Sequence, residues 1–141
     1  MQLTLYTDYS LRVLIYLAFK GEELSTIDEI SKAYRISKHH LTRVVHKLGE
    51  NGSIKTIRGK GGGICLAQKP KDINIGRIVK EMEKNFDLVE CFNKDKNQCI
   101  LSPMCGLKNI LYEAKLNFLK TLESKTLADI LVDKNSFNKK A

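Results

Sequence analysis

The chain has no apolar run long enough to cross a bilayer. The strongest candidate, residues 11–19, follows Asp8 and carries Arg12, whereas a spanning helix needs about 20 apolar residues. A secretory signal is also missing at the start, so the four cysteines are expected in a reducing cytoplasm, where metal chemistry is favoured over disulfides. Internal repeats and low-complexity segments are absent. Nothing marks an enzyme, since there is no second cofactor motif and no substrate-binding constellation. The glycine-rich stretch at residues 59–63 lacks the Walker spacing and is not followed by a helix, which excludes a nucleotide-phosphate loop. Acids are scarce where bases are dense. Between Lys32 and Lys60 only Glu50 stands against Lys32, Arg35, Lys38, Arg43, Lys47, Lys55, Arg58 and Lys60.

What is present fits a basic, mainly α protein. A length of 141 residues allows one compact domain or a small domain with a helical appendage, and 43% hydrophobic residues are enough for a core. The net charge of +8 favours an anionic partner such as nucleic acid. Thr7, Asp8, Tyr9 and Ser10 look like the start of a helix that is apolar nearly all round and ends at Gly21. Ser25 with Asp28 and Thr26 with Glu29 form two overlapping capping signatures for a short helix marked by Ile27, Ile30 and Tyr34. After a turn at Arg35 and Ile36, Ser37 can cap a second helix. Leu41, Val44, Val45 and Leu48 recur there at i, i+3, i+4 and i+7. Its outer side shows Lys38, His39, His40, Thr42, Arg43, His46 and Lys47.

Residues 53–57 and 64–67 read as strands joined by the basic, glycine-rich segment at residues 58–63. A helix-turn-helix followed by such a hairpin is a winged helix-turn-helix with a two-stranded wing, expected over residues 1–70. The bases lie on the two elements that such a fold presents to DNA. Lys38, His39, His40, Thr42, Arg43 and Lys47 on the second helix, and Arg58 and Lys60 on the wing, are the candidate DNA contacts. Lysines and arginines there neutralise phosphates, and Arg58 suits a narrow minor groove. The histidines could bind metal instead, but His39 and His40 are adjacent and splay apart on a helix.

Residues 71–133 are expected to be a helical dimerisation and cluster-binding region, with a polar tail at residues 134–141. Ile75, Ile78, Val79 and Met82 stripe one helix. Leu107, Ile110, Leu111, Ala114, Phe118 and Leu122 stripe a longer one, which either meets a second copy or packs back on its own domain. Leu127, Ile130, Leu131 and Val132 follow a last capping signature at Thr126 and Asp129. Between the two striped helices lies CFNKDKNQCILSPMC at residues 91–105, a polar loop with three of the four cysteines. An odd number of thiols leaves one over in disulfide pairing. Three thiolates can hold zinc or an iron–sulfur centre if a fourth ligand comes from elsewhere. Free thiols are the remaining alternative. Cys65, the histidines and a nearby carboxylate are the internal candidates for the fourth position.

Asp8-Tyr9-Ser10-Leu11-Arg12, Ile36-Ser37, IRGKGGG at residues 57–63, VECF at 89–92, SPMCGLK at 102–108 and the cysteine trio together resemble the iron–sulfur winged-helix repressors. The likeness runs to about Val132. It is strongest to the NsrR-type, nitric-oxide-sensing branch, with the IscR-type cluster-biogenesis regulators more distant. The resemblance implies a cytoplasmic homodimer on a palindromic double-stranded DNA operator, with the helix after the cysteines crossing to the partner. It implies an iron–sulfur cluster, [4Fe-4S] in NsrR-like members and [2Fe-2S] in other relatives. Cys91, Cys99 and Cys105 match the family's ligands. Asp8 matches an oxygen ligand that comes from the opposite subunit, although on residues alone it could merely cap its helix. Cys65 matches no ligand. The implied function is repression of nitric-oxide-stress or nitrate-respiration genes, relieved by nitric oxide. A zinc-stabilised DNA-binding protein without gas sensing is the alternative, as is a regulator of cluster biogenesis.

Overall fold

The computed structural model describes residues 1–131; Val132 and the tail at residues 134–141 lie outside the described residues. Helix α1 (Leu5–Lys20) starts earlier than expected. The Thr4 hydroxyl accepts from the backbone N–H of Thr7, so Thr4 is the cap and Asp8 falls inside the first turns. Asp8 is therefore not a capping residue. In α2 (Ile27–Tyr34) only one of the two overlapping signatures closes as a capping box, Thr26 with Glu29. Ser25 instead pairs its backbone with Ile64, N–H to O at 2.9 Å in one direction and 2.8 Å in the other. That pairing adds a short third rung beside the wing. Arg35 ends α2 in the left-handed conformation, and Ser37 caps α3 (Lys38–Glu50) by accepting from the His40 N–H.

The core explains the helix-turn-helix geometry. Leu41, Val44, Val45 and Leu48 of α3 are all buried, as their spacing predicts, against Val13, Leu14 and Leu17 of α1 and Ile30 of α2. Full burial of a large aliphatic side chain contributes roughly 1.5–3 kcal/mol relative to exposure. The apolar stripe thus fixes which side of α3 faces inward, and its polar side faces out. Strands β1 (Ile54–Ile57) and β2 (Gly63–Leu66) pair antiparallel, Ile54 with Leu66 and Ile57 with Gly63. Gly62 packs so tightly at the turn that a Cβ there would collide with the Ile57 carbonyl oxygen, and Gly59 and Gly61 have φ of 100° and 75°. The wing tip therefore requires glycine at these positions.

The buried cluster continues past Pro70. Asn74 caps α4 (Ile75–Met82), and Ile75, Ile78, Val79 and Met82 all turn inward. Leu127 of the short α6 (Leu127–Ile130) is fully buried in the same cluster. Two backbone bonds hold it there, from the Ile75 N–H to the Lys125 oxygen at 2.9 Å and from the Leu127 N–H to the Ile73 oxygen at 2.8 Å. Helix α5 (Gly106–Glu123) is about 27 Å long at 1.5 Å per residue and has no buried residue. Its last turn is anchored, with Leu122 against the core, Glu123 paired with Lys80, and the Asn74 amide donating to the Glu123 carbonyl oxygen at 2.6 Å. Its first half projects with Leu107 61% and Ile110 64% exposed. Of the stripe, Leu122 at the C-terminal end packs against the core of its own chain.

Candidate nucleic-acid interface and cysteine loop

The outward face of α3 begins at Lys38, His39, His40, Thr42 and Arg43, all exposed, with Lys47 half-buried. These side chains are not equally available. Lys38 is paired with Asp28 of α2, whose other oxygen lies 2.7 Å from Lys32. The two ammonium groups hold the Asp28 carboxyl down at about 2, so it stays ionised at any physiological pH. Lys47 lies 3.3 Å from Glu50. The Thr42 hydroxyl donates to the Lys38 carbonyl oxygen at 2.8 Å, which leaves its lone pairs outward. On the wing, Arg58 and Lys60 are both exposed. Among the described residues no ion pair engages Arg43, Arg58 or Lys60. Of the candidate DNA contacts that are lysine or arginine, these three are free for phosphates or base edges. Sequence reasoning missed the pairing of Asp28 with Lys38, although its place four residues before Lys32 marked it as a partner for lysine.

Asp28→Asn releases Lys38 and should tighten operator binding. The slope of log affinity against log salt should steepen by about 0.9, the amount expected for one more neutralised phosphate. An unchanged slope would show that Lys38 does not reach the DNA. Arg43→Ala should cost on the order of 1–3 kcal/mol at one operator position, while Arg58→Ala should weaken binding mainly at sites with a narrow A·T-rich minor groove. Band-shift titrations on variant operators measure both.

The cysteine loop leaves the core after α4. Cys91 sits in a short 3₁₀ turn (Glu90–Phe92), and Cys105 occupies the N-cap position of α5. Between them, the Cys99 N–H donates to the Asn97 side-chain oxygen at 3.1 Å. All three thiols are free and half-buried. Phe92, next to Cys91, stands edge-on to Tyr112 of α5 at 6.1 Å, and the Lys115 ammonium lies 4.7 Å from the Phe92 ring centre and 4.8 Å from that of Tyr112. This aromatic pair ties the start of the loop to α5. Two apolar side chains next to the thiols in sequence stand out into solvent, with Ile100 92% and Met104 95% exposed.

Among the described residues, no group of three or more His, Cys, Asp or Glu side chains is placed to hold a metal ion. The three thiols share a loop without forming such a group in this chain. Metal sites of this kind are commonly drawn together by the bound group itself. By donor chemistry the trio fits an iron–sulfur centre, because the thiols are soft, free and partly accessible. Cys65 does not join them. It is buried on β2, opposite Lys55, in the apolar role its place between Ile64 and Leu66 suggests. Asp8 is on α1, doubly bonded to Arg12 with contacts of 2.9 and 3.1 Å. That hydrogen bond raises the Arg12 pKa.

A helix-turn-helix with a basic outer face, followed by a basic glycine-tipped hairpin, defines a winged-helix DNA-binding regulator. This chain belongs to the Rrf2 family of iron-dependent transcriptional regulators, whose pattern it matches over residues 3–133. It is 51% identical over 140 residues to the HTH-type transcriptional regulator NsrR of Bacillus subtilis, covering 99% of this chain and 96% of that one. It is 51% identical over 136 residues to NsrR of Shouchella clausii, covering 96% and 91%. Among solved structures it resembles CymR, the global cysteine regulator of B. subtilis, with a TM-score of 0.75 and 28% identity over 92% of this chain and 95% of that one. IscR of T. potens gives a TM-score of 0.73 and 25% identity over 92% and 85%. The protein is a transcriptional regulator, and the winged fold read from the sequence is the fold observed. Among the described residues no helix is long and apolar enough to cross a membrane.

Proposed function

We propose that this regulator is a homodimeric repressor that responds to nitric oxide through an iron–sulfur cluster. Residues 1–70 read the operator, and residues 71–133 carry the dimer contact and the cluster loop. Cys91, Cys99 and Cys105 of one protomer are the thiolate ligands, with Asp8 of the partner subunit as the fourth. The observation that carries this reading is the set of three free, half-buried thiols on one loop, leading into a helix whose apolar face is uncovered. The likeness to NsrR relatives over nearly the whole chain supports it. When bound, a [4Fe-4S] cluster supplies an iron centre reactive toward nitric oxide.

The chain's own residues then supply the switch. The thiolates hold the loop between α4 and α5 in one shape. The Asp8 carboxylate is hard and poorly matched to iron–sulfur chemistry, which makes its corner the labile one. Arg12 competes for the same carboxylate. A signal shifts an equilibrium only through its different affinity for two states, so the loop shape fixed by the ligands must be the one that favours operator binding. Anaerobic purification should give a brown protein with visible absorbance, which a zinc protein lacks. Titration with nitric oxide should bleach that absorbance and release the operator together. Unchanged operator affinity after complete bleaching would remove the sensor role.

A further inference from the structure

The first turns of α1 are tied to two other elements, and one of the ties ends on the recognition helix. The Thr4 N–H and hydroxyl both donate to the Glu83 carboxylate just after α4, at 2.7 and 3.1 Å. The Tyr6 hydroxyl donates to the main-chain carbonyl oxygen of Arg43, in the middle of α3, at 2.9 Å. Three residues on, along the same face, the Tyr9 ring lies 6.1 Å from that of His40. Tyr6, Tyr9, His40, Arg43 and Lys84 line one crevice between α1 and α3.

A mid-helix carbonyl already serves the helix's own ladder, so a phenol bonded to it is not needed to satisfy the backbone. Its effect is positional. It fixes the height and roll of α3 at the residue whose guanidinium is free for DNA, and it does so from a side chain two positions from Asp8. Packing alone would be served as well by phenylalanine. We infer that Tyr6, backed by Tyr9, is a positioning residue that couples the Asp8 turn of α1 to the recognition helix. This rests on the reading of Asp8 as a ligand completing the partner's cluster. A displacement of α1 at Asp8 is carried through Tyr6 to the Arg43 backbone, where operator contacts are set.

The test is a double-mutant cycle on the cluster-loaded full-length protein, with operator affinity measured for wild type, Asp8→Ala, Tyr6→Phe and the double variant. Tyr6→Phe keeps the ring, so its melting temperature should fall by no more than a few degrees and its cluster absorbance should match wild type while its affinity falls. The cycle should be non-additive by about five-fold, the effect of one neutral hydrogen bond. Additive effects, or a Tyr6→Phe protein that binds like wild type, would overturn the coupling. Failure of the sensor reading has a different signature, namely wild-type protein that keeps its operator after nitric oxide bleaches the cluster. The cycle still decides the coupling in that case, because it needs no nitric oxide.

Discussion

Ile110→Glu is expected to give a folded monomer that no longer holds its operator. Ile110 is 64% exposed in the single chain and lies in the half of α5 that projects from the core. The position is mostly exposed in the protomer and glutamate is a good helix former, so circular dichroism should be unchanged, while the melting temperature falls by the share that dimerisation contributes. In a two-fold dimer the same residue enters the interface twice. Each copy would then bury a carboxylate among Leu107, Leu111 and Ala114. Desolvating an unpaired charge costs several kcal/mol even after relaxation. For two copies, a loss of at least about 4 kcal/mol is expected, a factor of roughly a thousand in the dissociation constant. Light scattering at micromolar concentration should therefore find a monomer. With the dimer gone, the two recognition helices lose the fixed separation of about 34 Å that a palindromic site demands. A dimer that survives this substitution would place the interface elsewhere.

The elements that local rules control were legible in the sequence. The α3 stripe, the Ser37 cap and the Thr26–Glu29 box are contests between residues a few positions apart, and the structure resolves them as the patterns predict. The glycine-rich wing was equally plain, because few residues other than glycine can turn there. Errors arose where two local signals competed or where the partner was distant. Ser25 looked like a cap, but its backbone is taken by Ile64, thirty-nine positions on, and the wing pairing wins. Asp8 looked like a helix start, but Thr4 caps one turn earlier and leaves Asp8 to Arg12. Nothing in the sequence signalled the bridge between Asn74 and Thr126, which sets the start of α6 beside the start of α4. Tyr6 was passed over for the same reason, since its partner lies thirty-seven residues away on α3. At the cysteine loop, composition pointed to a centre, while convergence of the thiols was not something spacing alone could settle.

Substitution of the cysteines should divide them into two kinds. Cys99→Ser should yield a folded protein without visible absorbance, and Cys91→Ser and Cys105→Ser should behave alike. All three thiols are half-buried on a loop outside the core, so their loss has little effect on packing. A hydroxyl is a poor substitute for a thiolate on iron. Cys65→Ala should do the reverse. Its side chain is buried on the wing strand β2, and shortening it leaves a small cavity, for a loss of about 1 kcal/mol and a lower melting temperature. The absorbance per protomer should stay at the wild-type level. Asp8→Ala should fall between these. Three thiolates retain the cluster, while the vacant fourth corner shifts its absorbance and changes its rate of reaction with nitric oxide. Arg12, relieved of its partner, loses the hydrogen bond that raises its pKa. An Asp8 variant identical to wild type in spectrum and reactivity, together with a Cys65 variant that cannot hold iron, would move the fourth ligand to the wing strand. The DNA-reading hairpin would then be tied to the cluster directly, and neither Asp8 nor the Tyr6 contact would be needed to carry the signal.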